Sequence, residues 1–137
     1  MFYSRCYIDF KSLQRQLNAD NSQSKCVYIK GAVGDVAENC NGAYEPTSEI
    51  GNGRVRYRKY ENSDIWIDHY QDQWGVKSAG MKGTSTVYGF VHGACAREAC
   101  GSRTWKVVNE RTHTYEEQSG VKMEFMDKVS THNLFCP

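Results

Sequence analysis

Apolar and polar side chains alternate along a series of short segments that begins at residue 26. Residues 54–58 show the pattern, because Val55 and Tyr57 alternate with three arginines. Successive side chains of a β-strand point to opposite faces, so this period of two predicts strands that bury one face. Turn residues separate the segments at a spacing of roughly 8–12 residues, and the Asn52-Gly53 pair is typical of a tight hairpin.

The alternation predicts eight or nine short strands. They lie at 26–33, 44–49, 54–60, 64–70, 74–78, 86–92, 104–109, 112–117 and 121–126. Short turns favour antiparallel pairing of sequence neighbours, in a meander, a sandwich or a barrel-like sheet, with a final hairpin about residues 118–120. A parallel sheet would need a helix after nearly every strand, and the chain lacks such helices. We therefore expect an all-β fold that is mainly antiparallel.

One helical pattern precedes the strands. Phe10, Leu13 and Leu17 recur on one face of a helix over 9–17, and Asp9 can cap its first turn. A chain of 137 residues suits a single domain. We expect this domain to comprise a short helix and loop over 1–25, a β core over 26–126 and a C-terminal tail over 127–137.

The charge balance limits the kinds of partner. The chain carries 17 basic and 16 acidic residues, whereas proteins that bind nucleic acids or membrane surfaces usually have a clear basic excess. It has no run of about 18 apolar residues that could span a bilayer. We therefore expect no general nucleic-acid binding and no membrane span, and the oligomeric state stays open.

Six cysteines are many for a reducing compartment, and an even number is typical of a disulfide framework. The count favours secretion or another oxidising compartment, although the first residues lack the apolar core of a signal peptide. Proximity along the chain favours two local bridges, and elimination pairs the remaining two cysteines. The expected pairs are Cys26–Cys40, Cys95–Cys100 and Cys6–Cys136.

A second interpretation of the same region is a metal site. His92, Cys95 and Cys100 offer three candidate ligands close together in the sequence. Structural zinc sites take four ligands, commonly as two closely spaced pairs, and no second pair is present. A disulfide between the two cysteines is the favoured explanation of these residues, and the sequence contains no cofactor fingerprint, so we expect neither a metal nor another cofactor.

No catalytic residue can be assigned from the sequence. The histidines occur in no nucleophile elbow and no cysteine-protease signature; they are His69, His92, His113 and His132. Asp64 and Asp68 share one face of a strand, but the β rise separates them by about 13 Å, too far for a glycosidase pair. A small secreted hydrolase or toxin-like enzyme that uses a histidine with Asp or Glu is the alternative to a binding protein.

Two Asn-Gly segments and two tryptophans form a recognisable pattern. Its residues are Asn41-Gly42-Ala43-Tyr44, the segment from Asn52-Gly53-Arg54 to Lys59, Trp66 and Trp74. The pattern resembles a small β module that occurs, often in several copies, in proteins of microalgae and other protists. The resemblance covers about residues 26–108, more closely in the first half than in the second. It implies a β meander and implies no reaction.

The strand over 54–60 is the expected binding surface. Alternation places its three arginines in a row on one face, about 6.6 Å apart at the β rise. Guanidinium groups bind carboxylates and phosphates through paired hydrogen bonds, which suits an anionic partner. The predicted site comprises Arg54, Arg56, Arg58, Tyr57, Trp66 and Trp74. Alternatively, Glu49, Glu61 or Asp64 neutralises the row, and the aromatic rings fill the core.

The chain has many sheet-forming residues but no activated nucleophile, acid–base pair or cofactor loop, which favours binding over catalysis. These features predict a non-catalytic binding or structural module that serves as a subunit or domain of a larger assembly. We expect it to engage a protein or an anionic partner through one face of its sheet.

Overall fold

The computed structural model describes residues 25–102 and 104–127, which form nine strands and three short helical segments. The strands are β1 Lys25–Lys30, β2 Gly42–Gly51, β3 Arg54–Lys59, β4 Ile65–Tyr70, β5 Gln73–Ser78, β6 Gly89–His92, β7 Lys106–Asn109, β8 Thr114–Glu117 and β9 Lys122–Asp127. The helical segments are α1 Ala37–Cys40, the 3-10 turn Ala79–Met81 and α2 Ala96–Cys100. The predicted helix over 9–17 lies outside the described residues. Within the described residues, no helix has the length and apolar character needed to cross a membrane.

The nine strands of the described residues belong to one curled antiparallel sheet, a half-barrel. Their order in the sheet is β8-β7-β6-β5-β4-β3-β2-β1-β9. Strands β1 to β7 each pair with the next strand along the chain, so β1 to β8 form a meander. This arrangement confirms the predicted all-β, mainly antiparallel fold.

The predicted final hairpin is wrong, because β8 and β9 are the two edges of the sheet and do not pair with each other. Strand β9 instead pairs with β1 along its whole length, from Lys25↔Asp127 to Lys30↔Lys122. A turn signal between two strands shows only that the chain reverses, and it does not specify which strand becomes the partner. Since residues 118–121 alone connect β8 to β9, the sheet curls until its two edges approach each other at this turn.

Alternation gives the sheet a core face and an opposite face. The core face carries Val27, Ile29, Tyr44, Val55, Tyr57, Ile67, Trp74, Val76, Val91, Val107 and Met123, all of them buried. Complete burial of a large apolar side chain contributes roughly 1.5–3 kcal/mol, so this face supplies most of the driving force for folding. The opposite face also buries side chains, among them Trp66, Asp68 and Lys77.

Residues of the Asn-Gly pattern hold the beginning of the sheet together. Asn41 bonds the backbone of Ala32 twice, accepting from its N–H at 3.0 Å and donating to its carbonyl at 2.9 Å. The Tyr44 hydroxyl and the buried Lys59 ammonium donate to carbonyls at the end of α1. These bonds satisfy carbonyl groups that a four-residue helix leaves without partners. Sequence reasoning expected a loop here, because so short a helix shows no periodicity.

The loop after β1 packs tightly against the turn between β8 and β9. Gly31 has a φ of +92°, and a side chain at this position would collide with the Gly120 carbonyl. Beside this contact, the Gln118 amide accepts from the N–H of Val33 and donates to its carbonyl, both at 2.9 Å. The tight packing and the paired hydrogen bonds fix the end of the sheet where its edges approach.

Candidate functional site

The three predicted arginines lie on one side of β3, as the alternation of this strand predicted. Each guanidinium bonds atoms of the chain itself. Arg54 donates to the Ala94 carbonyl at 2.7 Å, and Arg58 bonds the Glu45 carboxylate at 3.1 Å. The third arginine is Arg56, and its guanidinium lies 3.4 Å from the carboxylate of Glu49, one of the residues expected to neutralise the row. The row is therefore largely satisfied within the protein.

The predicted aromatic members of the site lie on two different faces. Trp66 lies on the arginine side, with the Lys82 ammonium 3.6 Å and the Arg58 guanidinium 5.8 Å from its ring centre. Tyr57 and Trp74 belong to the core, where their side chains are 2% and 1% exposed and their ring centres are 6.4 Å apart. The structure thus brings Trp66 to the arginines and keeps Tyr57 and Trp74 away from that surface.

A buried ion network occupies the centre of the opposite face. The Asp68 carboxylate, with no exposed surface, accepts from the Arg56 guanidinium at 2.8 Å and the Lys77 ammonium at 3.1 Å. It also accepts from the backbone N–H of Gly83 at 2.8 Å. Lys77, whose side chain is 1% exposed, donates further to the Thr84 carbonyl at 2.7 Å. Asp68 and Lys77 therefore tie residues 83 and 84 to the sheet.

The Asp68 carboxyl remains ionised in these surroundings. Burial by itself would raise its pKa, but hydrogen bonds from Arg56, Gly83 and Lys77 outweigh burial and hold the pKa below its ordinary value. A charge-assisted hydrogen bond is stronger than a neutral one, and a buried charge needs such partners. Asp68 therefore balances the buried Lys77 ammonium, and its lone pairs are committed to this structural role.

The segment over 79–88 forms one wall of a pocket on the opposite face. The pocket has a volume of about 350 Å³, and its apolar lining comes from Met81, Val87, Val108 and Tyr115. Polar side chains add to the lining, and they include Glu110 and His113. Met81 and Tyr115 are each 41% exposed, which is high for large apolar residues. The arrangement suits an apolar group with a polar or charged neighbour.

Strand β8 lies beside this pocket and forms an exposed edge of the sheet. All of its residues, Thr114–Glu117, are exposed. The N–H of Gln118 donates to the Trp105 carbonyl, so residues 118, 116 and 114 direct their backbone groups toward β7. By alternation, the backbone groups of Tyr115 and Glu117 point away from β7. The Tyr115 hydroxyl donates to the Val87 carbonyl at 2.9 Å, which joins the edge strand to the pocket wall.

The histidine sites bear on the alternative of a hydrolase. His69 is buried, with Nε2 at 3.0 Å from the Gly93 carbonyl and Nδ1 at 2.7 Å from the Asn52 amide nitrogen. These contacts fit a neutral ring that donates from Nε2 and accepts at Nδ1, and burial lowers its pKa despite the Gly93 bond. His92 is exposed, with its ring centre 5.8 Å from that of Phe90. Sequence reasoning missed the pocket and, apart from His113, the residues that line it, because they come from three separate segments.

The predicted Cys26–Cys40 bridge is wrong, because Cys40 carries a free thiol. The two cysteines lie on different sides of β1. Val27 packs into the same core as Cys40, whereas the preceding Cys26 points the other way, 3.6 Å from the Tyr60 hydroxyl. Burial raises the pKa of the Cys40 thiol to about 12, although Lys59 acts in the opposite direction.

The predicted Cys95–Cys100 bridge is also wrong, because Cys100 carries a free thiol. Cys95, in extended conformation, directly precedes α2 and Cys100 ends it, so more than one helical turn separates the two residues. Burial raises the pKa of Cys100 to about 11. The pair Cys6–Cys136 lies outside the described residues. Within the part of the chain that the structure describes, no three His, Cys, Asp or Glu side chains are placed to hold a metal ion.

Comparison of the chain with protein-family profiles, curated proteins and solved structures found no match. The resemblance to the protist β module therefore rests on the motif residues alone and stays a prediction. The function has to be inferred from the surfaces of the molecule itself, of which the pocket and the adjoining β8 edge are the most distinctive.

Proposed function

We propose that the chain is a non-catalytic binding module that engages a protein partner through the face of its sheet opposite the core. The observation that carries this proposal is the pocket of about 350 Å³ that opens beside the β8 edge. Its walls are mainly apolar, and Met81 and Tyr115 are exposed there. Exposed apolar surface next to a preformed pocket is typical of an interaction site.

A protein partner suits this face better than a small anion does. An anion would have to compete at the arginine row with contacts that the chain already makes, such as the bond from Arg58 to Glu45. Breaking a formed ion pair in order to make another yields little net free energy at a partly exposed site. A bulky side chain in the pocket displaces no such contact.

The buried ionisable groups support binding rather than catalysis. Asp68 and Lys77 bond each other and the backbone of the segment over 79–88. His69 uses both ring nitrogens for contacts with Asn52 and Gly93. A general acid or base must reach a substrate. Asp68 and His69 are buried, and Lys77, although it lines the pocket, is 1% exposed and directs its ammonium to Asp68 and the Thr84 carbonyl.

The proposal can be tested by selecting ligands from a random linear peptide library displayed on phage. Thr86 lines the pocket and is exposed, whereas the adjacent Ser85 is exposed and does not line the pocket. Peptides selected on the wild type should bind Thr86→Trp at least about tenfold more weakly and should bind the matched control Ser85→Trp normally. Equal binding to the two variants would overturn the proposal. Hydrolysis of ester or glycoside substrates that is lost in His113→Asn would overturn it in favour of the enzyme.

A further inference from the structure

We infer that the partner is a basic segment in extended conformation that pairs with β8 as an added strand. This inference rests on the proposed function. The edge of β8 directs the N–H and C=O groups of Tyr115 and Glu117 away from β7. Such a row of backbone groups is a template for another strand, and strand addition is a recurring mode of peptide recognition.

The charge of β8 selects a basic partner. The strand itself contains Glu116 and Glu117 and no basic residue, and Glu110 lines the adjoining pocket. Lys106 pairs with Glu117 across the sheet and offsets part of this charge, whereas Lys77, which also lines the pocket, is paired with Asp68. Opposite charges on neighbouring strands stabilise pairing, and like charges oppose it, so lysine or arginine side chains fit best beside this edge.

The pocket adds a requirement for an apolar residue. Tyr115 lines the pocket, and its ring also packs against Phe90, with 5.5 Å between the ring centres. Side chains of an added strand alternate between faces, so those on the Tyr115 side of the sheet would lie over the pocket. We therefore expect the partner to carry basic residues together with a bulky apolar residue that enters the pocket.

The same charges disfavour a second copy of this chain as the occupant. Pairing β8 with β8 would bring four glutamates together on two short strands, and these charges repel. The other edge strand, β9, differs because α2 lies against it. The β8 edge is therefore the better acceptor for a foreign basic strand.

The test uses two fluorescein-labelled peptides and fluorescence anisotropy. In one peptide lysine alternates with leucine, and in the other glutamate replaces lysine. The lysine peptide should bind the wild type and should bind the Glu116→Lys/Glu117→Lys variant at least about tenfold more weakly, while the glutamate peptide prefers that variant. Glu117→Pro removes one outward N–H and should weaken binding about tenfold, whereas Glu117→Gln should change it less than about threefold.

The strand pairing itself is measured on the wild type, so it does not depend on the folding of the proline variant. The bound lysine peptide should slow hydrogen exchange of the Tyr115 and Glu117 amides. N-methylation at alternate residues of the peptide removes its backbone donors and should abolish this slowing. Equal affinity for both peptides would overturn the choice of a basic partner, and unchanged exchange would overturn strand addition. Either result leaves the proposed function standing if Thr86→Trp still weakens the library peptides and Ser85→Trp does not. A dimer of the free protein that Glu117→Pro dissociates would overturn the inference in favour of a second copy.

Discussion

Replacement of Asp68 by asparagine tests whether the buried ion network holds the opposite face together. Asp68 accepts hydrogen bonds from Arg56 at 2.8 Å, from Lys77 at 3.1 Å and from the Gly83 N–H at 2.8 Å. Asparagine is nearly isosteric but uncharged, so it removes the charge with little change of volume. The buried Lys77 ammonium then has no carboxylate partner.

The expected loss of unfolding free energy depends on which contacts Arg56 and Lys77 retain after the Asp68 carboxylate is removed. Removal of one partner from a buried ion pair costs about 3–5 kcal/mol. Arg56 is partly exposed and retains Glu49 at 3.4 Å, and Lys77 retains the Thr84 carbonyl at 2.7 Å. We therefore expect the lower end of the range, about 3 kcal/mol of lost unfolding free energy. For a chain of this size, that loss lowers Tm by roughly 10 °C.

The measurement is urea unfolding followed by tryptophan fluorescence, with Asp64→Asn as control because Asp64 is exposed. The control should lie within about 0.5 kcal/mol of the wild type. Lys77→Met removes the unpaired ammonium, so the double variant Asp68→Asn/Lys77→Met should lose less stability than the sum of the single losses. Additive losses, or an Asp68→Asn no less stable than the control, would refute the reasoning.

The pH dependence gives the same prediction a second measurement. The pKa of Asp68 is depressed in the folded protein, so its contribution to stability is complete above the ordinary carboxyl pKa of about 4. The contribution is lost as the pH falls below that value and through the folded pKa, because the unfolded chain then binds the proton first. The stability gap between the wild type and Asp68→Asn should therefore be constant near neutral pH and should narrow in acid.

Three further predictions concern other parts of the fold. Lys59→Met should cost about 1–3 kcal/mol in urea unfolding, because carbonyls at the end of α1 lose their buried donor; a loss below about 0.5 kcal/mol would contradict this. Gly31→Ala should lower Tm more than Gly34→Ala, since both have positive φ but only Gly31 faces a neighbouring carbonyl. Cys40, with a pKa of about 12, should react with iodoacetamide at pH ~8 only in the unfolded protein; peptide mass mapping that finds rapid native labelling would show that the thiol is accessible.

The strands could be predicted from the sequence because alternation is a local property. For example, the predicted strand over 64–70 corresponds to β4 Ile65–Tyr70. The short helices α1 and α2 escaped prediction, because four or five residues contain little more than one helical turn. The pairing of β9 with β1 could not be predicted, for a different reason. That pairing depends on how the whole sheet curls, which no single segment encodes.

The candidate site was less predictable, because its groups come from distant segments. Alternation correctly placed the three arginines on one side, and Glu49 was foreseen as an acidic neighbour. The sequence did not reveal that Asp68 would be covered by the segment over 79–88, since a polar residue on the second face of a strand usually meets water. It did not reveal the pocket either, where Val87, Val108 and Tyr115 meet only after folding.

The ion network and the proposed binding site share one structural element, and this predicts that they are coupled. Asp68 and Lys77 bond the backbone of the segment over 79–88, and the same segment contributes Met81 and Val87 to the pocket. Tyr115 of the edge strand bonds the Val87 carbonyl, so the edge is linked to this segment as well.

If Asp68→Asn loosens the segment over 79–88, each binding event must restore the order of that segment. The affinity for peptides selected on the wild type should therefore fall several-fold under conditions where the variant is fully folded. The control Asp64→Asn should keep wild-type affinity. Unchanged affinity in a destabilised Asp68→Asn would show that the pocket keeps its shape without the ion network, and the two features would then be independent.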